Sequence, residues 1–499
     1  MGGFRLLDLV QFFLPVLPEI ESPVEKIAFD EKVVYTVGGA FIFLLGQLPL
    51  YGLVSNAQFA IVDPLYNIRS IFAMEKGTLL ELGLLPVITA AFIWQVAAGL
   101  RLINANLGLR YDRELFQTGQ KLTAFALAVV YAAGLIYSGY YDNVIRGYDP
   151  LKDSTPIGSY VLLFTQIVSW SWLVTLMVEI FDKGYSFGSG VLSFLTLQVA
   201  TNTVADLIGI EVFKVFNSNK SESYGALMNL VRNFSLFSPK KNAATIWHAF
   251  TRIQLPNLNQ FYISLLTIGG VILLQNYRIE IPIRSTKVRG MSNVFPIRLL
   301  YTGGLPVLFA FTVLANVQVF GYFSTVVLSK LGAPQLLVSL LGKFELNPTS
   351  NNLNLKTGIL FYLSNSTSLL QTLLSPIKTV VYAFSIVVLS VWFANKWSYI
   401  SGSSPKDIAK QFKDQGISIS GKRDISIAKE LARVIPVASV SGAFLLAGLA
   451  VAGELLGGLG KGVATVVGVS SAFGVLEEFM LEYQQSGGSQ FTSALSGLQ

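Results

Sequence analysis

Asp63 to Leu100 reads DPLYNIRSIFAMEKGTLLELGLLPVITAAFIWQVAAGL and holds two unequal pieces. The first, Asp63 to Ala73, is half apolar and lies between an Asp-Pro turn signal and a charged Glu75-Lys76-Gly77 turn. At about three helical turns or fewer it is too short to cross a bilayer. The second, Gly77 to Leu100, is long enough at roughly 20 residues, but Pro86 in its middle removes a backbone hydrogen bond and is expected to bend the helix. A broken span is tolerated where protein or a water-filled cavity, rather than lipid, surrounds it. The pair therefore predicts a re-entrant element followed by a cavity-lining helix, in a chain built around a hole that this stretch both lines and stoppers.

Outward from that stretch, composition sets the class. With 499 residues, 52% hydrophobic and 13% charged, the chain has about half the charged fraction of a soluble protein and many apolar windows near 20 residues, which makes it a polytopic membrane protein. There is no cysteine, so disulfides, iron–sulfur clusters and thiolate zinc sites are excluded. No cleavable signal peptide is expected, because Gly2 to Lys32 mixes charges and prolines through any apolar run. Phe4, Leu6, Leu7, Leu9, Val10, Phe12, Phe13 and Leu14 predict a short helix on the membrane surface.

Ten spans follow: Val33 to Tyr51, Gly77 to Leu100, Lys121 to Tyr141, Gly158 to Phe181, Val191 to Ile210, Asn257 to Tyr277, Leu299 to Leu328, Ile377 to Ala394, Val434 to Gly453 and Gly462 to Leu481. Tyr224 to Phe237, Gln335 to Leu346 and Gly358 to Leu374 carry polar interruptions and are assigned to loops or surface helices. The spans divide into five and five, joined by a loop over 211–256. The second span of each half is interrupted by proline, Pro86 and Pro306. That matching points to a pathway between two inverted repeats. The competing explanation is that proline is simply common in membrane helices.

With the N-terminus in the cytosol, more than half of the 36 lysines and arginines fall in cytosolic segments, including 1–32, 278–298 and 395–433, with a cytosolic tail from 482. The segment Glu211 to Pro256 works against this bias, although long loops translocate regardless of charge. The sequons at Asn219, Asn233 and Asn365 all lie on the non-cytosolic side, where at least one is expected to accept a glycan.

Two cytosolic loops differ from ordinary connectors. RIEIPIRSTKVR, from Arg278 to Arg289, alternates apolar and polar residues and reads as a basic hairpin turning at Ser285-Thr286. From Trp397 to Arg433 a Ser/Pro start leads into an amphipathic helix through Phe412, a stop at Gly416 and a second turn at Gly421-Lys422-Arg423. One such loop is ordinary positive-inside charge. Two structured basic tips on one face imply a polyanion partner, either lipid headgroups or nucleic-acid phosphate.

Leu48-Pro-Leu-Tyr-Gly52, Asp63-Pro-Leu-Tyr66, Gly77-Thr-Leu-Leu-Glu-Leu-Gly83, Asp112-Arg-Glu-Leu-Phe-Gln117 and Lys183-Gly-Tyr-Ser-Phe-Gly-Ser-Gly190 stand in order along the first half. Pro282-Ile-Arg-Ser-Thr-Lys-Val-Arg-Gly290, Ile400-Ser-Gly-Ser-Ser-Pro405 and Asp407-Ile-Ala-Lys-Gln-Phe-Lys-Asp-Gln-Gly416 continue through the second. The set resembles the alpha subunit of the SecY-family protein-conducting channel in its eukaryotic endoplasmic-reticulum form, over nearly the whole chain. The N-terminal GFRLLDLV and Glu482-Tyr-Gln-Gln-Ser-Gly-Gly488 resemble the paralogous second alpha subunit of fungi more than the principal one.

The resemblance implies an all-α membrane protein of ten transmembrane helices, in two pseudo-symmetric five-helix halves closed as a clamshell around an hourglass pore. It implies a pore ring of Leu84, Ile88, Val191, Leu195, Leu308 and Val467, all apolar here. Such a ring dewets and blocks ions, while a polypeptide pushes its flexible side chains aside. Taken singly, each of these residues reads as helix packing. Asp63 to Ala73, with Asp63, Pro64, Leu65, Tyr66, Ile68, Ile71 and Phe72, takes the place of the plug; Gln58 to Val62 matches no pattern. Thr89 and Asn316 match polar positions of a lateral gate between spans two and three and spans seven and eight. Tyr131 stands where the family often has an amide. Lys287 and Arg289 in the first basic loop, and Lys422 and Arg423 in the second, fall at ribosome-docking positions. The implied partners are small single-span beta and gamma subunits, the ribosome, signal sequences and nascent polypeptides, and membrane lipids. No cofactor is implied.

The chain carries no Walker A pattern and no catalytic or metal constellation. His248, the single histidine, reads as a loop or packing residue, and Glu81 and Asp206 as capping or pairing groups near span ends. The rival from another class is a secondary transporter with inverted repeats, which requires ionisable groups at mid-membrane.

Overall fold

The computed structural model describes residues 6–15, 17–54, 61–100, 102–103, 109–147, 156–214, 221–234, 239–252, 255–285, 292–347, 352–366, 369–400, 405–419, 424–458 and 460–485. Ten helices of 15 residues or more run through them. They are α1 (Phe29–Leu45), α2 (Leu85–Gly99), α3 (Arg110–Tyr137), α4 (Ile157–Ile180) and α5 (Gly190–Ile208) in one half. The other half holds α6 (Leu258–Gln275), α7 (Leu305–Lys330), α8 (Pro376–Ile400), α9 (Asp424–Gly453) and α10 (Lys461–Gln485). Eight are long and apolar enough to cross a membrane. The exceptions are α1, with 17 residues, and α2, with 15.

The shortness of α2 corrects the expected kink at Pro86. Gly77 to Leu84 are turns rather than helix, and Pro86 sits in the first turn of α2, where its missing N–H leaves no hydrogen bond broken. Pro306 occupies the same place in α7, whose helix starts at Leu305 rather than at Leu299. The two halves are therefore matched by a pair of helices that begin inside the protein, each with proline at its start.

One apolar cluster runs through both halves, including Phe43, Phe72, Leu84, Ile88, Phe194, Leu308 and Val467. Lipid tails are as apolar as these side chains, so the helices hold together by close contact rather than by exclusion of water. Small residues set that contact. A Cβ at Gly304 would lie 2.4 Å from Ser470 Oγ, and one at Gly468 2.9 Å from Val199, bringing α7 and α5 against α10.

Three small sheets punctuate the helices. β1 (Val212–Lys214) pairs with β2 (Ser221–Ser223) in the connection between the halves. β3 (Arg278–Ser285) pairs antiparallel with β4 (Ser292–Arg298) from Arg278, opposite Arg298, to Arg284, opposite Ser292. The hairpin is thus longer than expected: the strand continues through Ser285, and its turn falls outside the described residues. β5 (Lys343–Asn347) and β6 (Asn352–Thr357) form a second hairpin after α7. β7 (Ile417–Ile419) adds to β3, with Ser285 opposite Ile417, so the two basic loops share one sheet. Beneath it, Ile297, Ile408, Phe412, Ile427 and Leu431 form a separate core. The helix Pro405–Gln415 ends where expected, at Gly416 with φ of 67°.

The N-terminal helix Leu6–Val10 does not simply lie on a membrane. Leu7 and Val10 are buried against Trp94, Leu115 and Phe116 at the adjoining ends of α2 and α3, while Phe12 stays 81% exposed. His248 lies in the helix Pro239–Thr251, not in a loop, half exposed with Nε2 3.6 Å from Glu222.

Candidate functional site

Leu84 caps α2 and Ile88 follows one turn later, its N–H donating to the Leu84 carbonyl at 2.9 Å. Val191 and Leu195 repeat that spacing at the start of α5. Leu308 comes from the first turn of α7 and Val467 from the second turn of α10. The structure brings all six into the central cluster: five are buried, and Val191 packs against it from a half-buried position. Four helices, two from each side of the connection over 211–256, thus contribute these side chains to one apolar cluster.

Asp63 to Ala73 packs into the same cluster through Leu65, Ile68, Ile71, Phe72 and Ala73. Its helix is a single turn, Tyr66–Arg69. Two devices tie it down. The first is backbone: Leu84 N–H donates to the Phe72 carbonyl at 2.8 Å, joining this segment to the residue that caps α2. Gly83, with φ of 50°, permits that approach, since a Cβ there would lie 2.4 Å from the same carbonyl oxygen.

The second is a buried ionic cluster that the sequence reading did not contain. Arg69, 8% exposed, donates from Nε to Asp63 Oδ2 at 2.5 Å and from Nη2 to Asp63 Oδ1 at 3.1 Å. The same Nη2 donates to Glu81 Oε1 at 2.7 Å and to Tyr140 Oη at 2.6 Å. Glu81 also accepts from the Gly77 N–H at 2.6 Å, which confirms its reading as a pairing group. Asp63 accepts from Leu65 N–H at 2.9 Å. Burial pushes the Asp63 carboxyl up, but the Arg69 guanidinium outweighs it and holds the group below its ordinary range. Arg69 lies in the quoted stretch six residues from Asp63, but nothing in the sequence marks either side chain as buried. Beyond this cluster Pro64 and Tyr66 meet the second hairpin: Leu353 N–H donates to the Asp63 carbonyl at 3.0 Å and Tyr66 Oη to Asn354 Oδ1 at 2.7 Å.

Thr89, Tyr131 and Asn316 meet across the seam between α2, α3 and α7. Asn316 Nδ2 donates to Thr89 Oγ1 at 3.0 Å and to the Thr312 carbonyl at 2.8 Å, and the Tyr131 hydroxyl donates to Asn316 Oδ1. One amide therefore links three helices, with Tyr131 filling through its hydroxyl the role an amide would take. On one side of this trio an aromatic group closes α2 against α7 and α8: Phe92 lies 5.6 Å from Phe309 and 5.3 Å from Phe393, and Phe309 lies 5.4 Å from Trp397.

Asp206 pairs with Lys461 at 2.5 Å, linking the end of α5 to the start of α10. Asn365 is set apart from the other sequons. It is 6% exposed and donates from Nδ2 to Glu454 Oε2 at 2.5 Å, so in the folded chain its amide nitrogen is unavailable to a glycan. Of the other sequons, Asn233 is exposed and Asn219 lies outside the described residues. Lys287, Arg289, Lys422 and Arg423 also lie outside the described residues; the strands that lead to them are those of the β4–β3–β7 sheet.

The SecY family model matches residues 78–476, and the model described as the plug domain of Sec61p matches residues 41–77. The chain is 40% identical over 499 residues to the Sec sixty-one protein homolog of Saccharomyces cerevisiae, covering 100% of this chain and 99% of that protein. It is 36% identical over 481 residues to the protein transport protein SEC61 subunit alpha of Yarrowia lipolytica, covering 96% and 98%. Among solved structures, the idle yeast Ssh1 complex bound to the yeast 80S ribosome is similar with a TM-score of 0.74 and 37% identity, covering 98% of this chain and 97% of that chain. The structure of a protein conducting channel is similar with a TM-score of 0.74 and 25% identity, covering 95% and 97%.

Proposed function

This chain belongs to the SecY family, and we propose from that premise how its own residues perform the work of a protein-conducting channel in the endoplasmic reticulum membrane. Leu84, Ile88, Val191, Leu195, Leu308 and Val467 form the constriction. Being apolar and packed together, they offer ions no partner for the hydration shell they would lose, while their side chains yield to a polypeptide. The plug segment stoppers this ring, held by the Phe72–Leu84 backbone bond and by the Arg69 cluster.

The single observation that carries this reading is the convergence of those six side chains and the plug segment in one buried cluster drawn from both halves. A secondary transporter finds no support, since the matched relatives are protein transport proteins.

Opening is a population shift. A hydrophobic signal helix and a docked ribosome favour the open form, and the ligand shifts the balance only by its preference for that form. The seam at Thr89, Tyr131 and Asn316 parts, and a sufficiently apolar segment leaves sideways because lipid accepts it better than water does. The basic loops around Lys287, Arg289, Lys422 and Arg423 dock the ribosome, with arginines suited to bidentate phosphate contact. The solved relative bound to the 80S ribosome supports this assignment, and their shared sheet gives the two loops a common base. Small single-span beta and gamma subunits complete the complex, and both termini face the cytosol.

The test is photocrosslinking. With a photoreactive residue at Ile88 or Leu308, a stalled nascent secretory chain crosslinks in microsomes, whereas the same residue at lipid-facing Phe384, 68% exposed, does not. Equal crosslinking at all three positions would refute the pore assignment.

A further inference from the structure

Lys378 stands in the first turn of α8 and is 2% exposed. Its ammonium donates to the Asn365 carbonyl at 3.1 Å and lies 4.4 Å from the centre of the Phe361 ring. Among the described residues no carboxylate comes within ion-pair distance of it. The acid on this network, Glu454, reaches Asn365 from the other side and is occupied by the Gly460 N–H at 2.7 Å and the Val463 N–H at 3.1 Å. The carbonyl and the ring stabilise a cation, but neither neutralises it. Placement at a helix N-terminus makes the site more positive still.

Lys378 lines a cavity closed by the plug segment on one side, through Tyr66 and Asn67, and by Asn354, Ser364 and Gln371 on others. Polar side chains predominate in the lining, beside Pro64, Phe344, Leu353 and Leu355, and Asn67 there carries an amide oxygen buried without a partner among the described residues. Turned over, that amide would present its NH2 group instead, since oxygen and nitrogen of an amide exchange places by rotation. A water molecule in the cavity would satisfy a spare ammonium N–H and leave the charge uncompensated. A buried charge is stable when it is paired.

We propose that this cavity binds a small monovalent inorganic anion such as chloride, held by the Lys378 ammonium between the plug segment and α8. The site stands on its own geometry and does not depend on the channel reading. Its consequence does: an anion seated there stabilises the closed arrangement, because the cavity's two walls separate when the plug leaves.

The test uses the full chain, purified in detergent with the subunits that accompany it, and follows thermal unfolding in potassium chloride against potassium gluconate at equal ionic strength. Chloride raises the unfolding midpoint of the unaltered protein in a saturable way. Lys378→Met, which keeps the length of the side chain and removes its charge, abolishes the chloride effect while unfolding in gluconate no earlier than the unaltered protein. Lys396→Met, at an exposed lysine on the same helix, keeps the effect. A midpoint indifferent to chloride in the unaltered protein, or a chloride effect of the same size in Lys378→Met, overturns the site. So does stabilisation by acetate with none by chloride.

Discussion

Replacing Arg69 with methionine leaves two buried carboxylates facing each other. Asp63 is 1% exposed and Glu81 fully buried, and each now accepts from the guanidinium at 2.5 Å and 2.7 Å. Removing one partner of a buried ion pair costs about 3–5 kcal/mol, because the remaining charge is stranded. In the closed channel nothing else described provides a cation to either acid at that distance. Once the plug leaves, Asp63 goes with it into water, Glu81 is wetted, and the penalty disappears. The whole cost therefore falls on the closed state. At 1.36 kcal/mol per tenfold, the closed-to-open ratio falls by roughly two to nearly four orders of magnitude. The assay is resting ion conductance of the complex in a planar bilayer, without ribosome or signal, alongside the amount of assembled complex. Arg69→Met raises resting conductance. Asp63→Asn, Arg69→Met and Glu81→Gln combined, which leaves no stranded charge, restores most of the closure. Resting conductance of Arg69→Met equal to that of the unaltered channel, in fully assembled complex, would refute the reasoning.

Other outcomes follow from the seam and the loops. Asn316→Leu loses the bonds to Thr89 and Tyr131, worth about 0.6 kcal/mol each within a membrane protein. The seam weakens by roughly 1.2 kcal/mol, so less hydrophobic signals are accepted; translocation efficiency across a graded signal series measures the shift, and an unmoved threshold removes Asn316 from the gate. Charge reversal at Arg289 and Arg423 weakens ribosome binding and flattens its dependence on salt, because fewer phosphate counterions are released. Binding with the same salt slope after both changes would refute docking by these tips.

The helices were legible because a bilayer demands runs of apolar residues, and those runs are long. Helix starts inside the protein were not. Leu79, Leu80, Leu82 and Leu84 are as apolar as the helix that follows, and only the geometry at Gly83 and the buried role of Glu81 show that this run is a series of turns. The six ring residues are ordinary aliphatic side chains at helical spacing, and without the family resemblance nothing marks them off from packing. Tyr131 and Asn316 meet across 185 positions of sequence, a distance at which no local pattern speaks. The addition of β7 to β3 rests on three residues, Ile417 to Ile419, too few for an alternation to register. Arg69 and Lys378 were passed over for a common reason: a lone charge at the edge of an apolar run reads as placed at a surface, and only the folded chain reveals it as buried.

The most direct measurement substitutes serine for Leu84, Ile88, Val191, Leu195, Leu308 and Val467 together and records current through the resting channel beside passage of a secretory polypeptide. A wetted ring leaks ions at rest while the polypeptide still finds a path, so steady conductance without signal or ribosome is the predicted result. Resting conductance and polypeptide passage both indistinguishable from those of the unaltered channel would contradict the account.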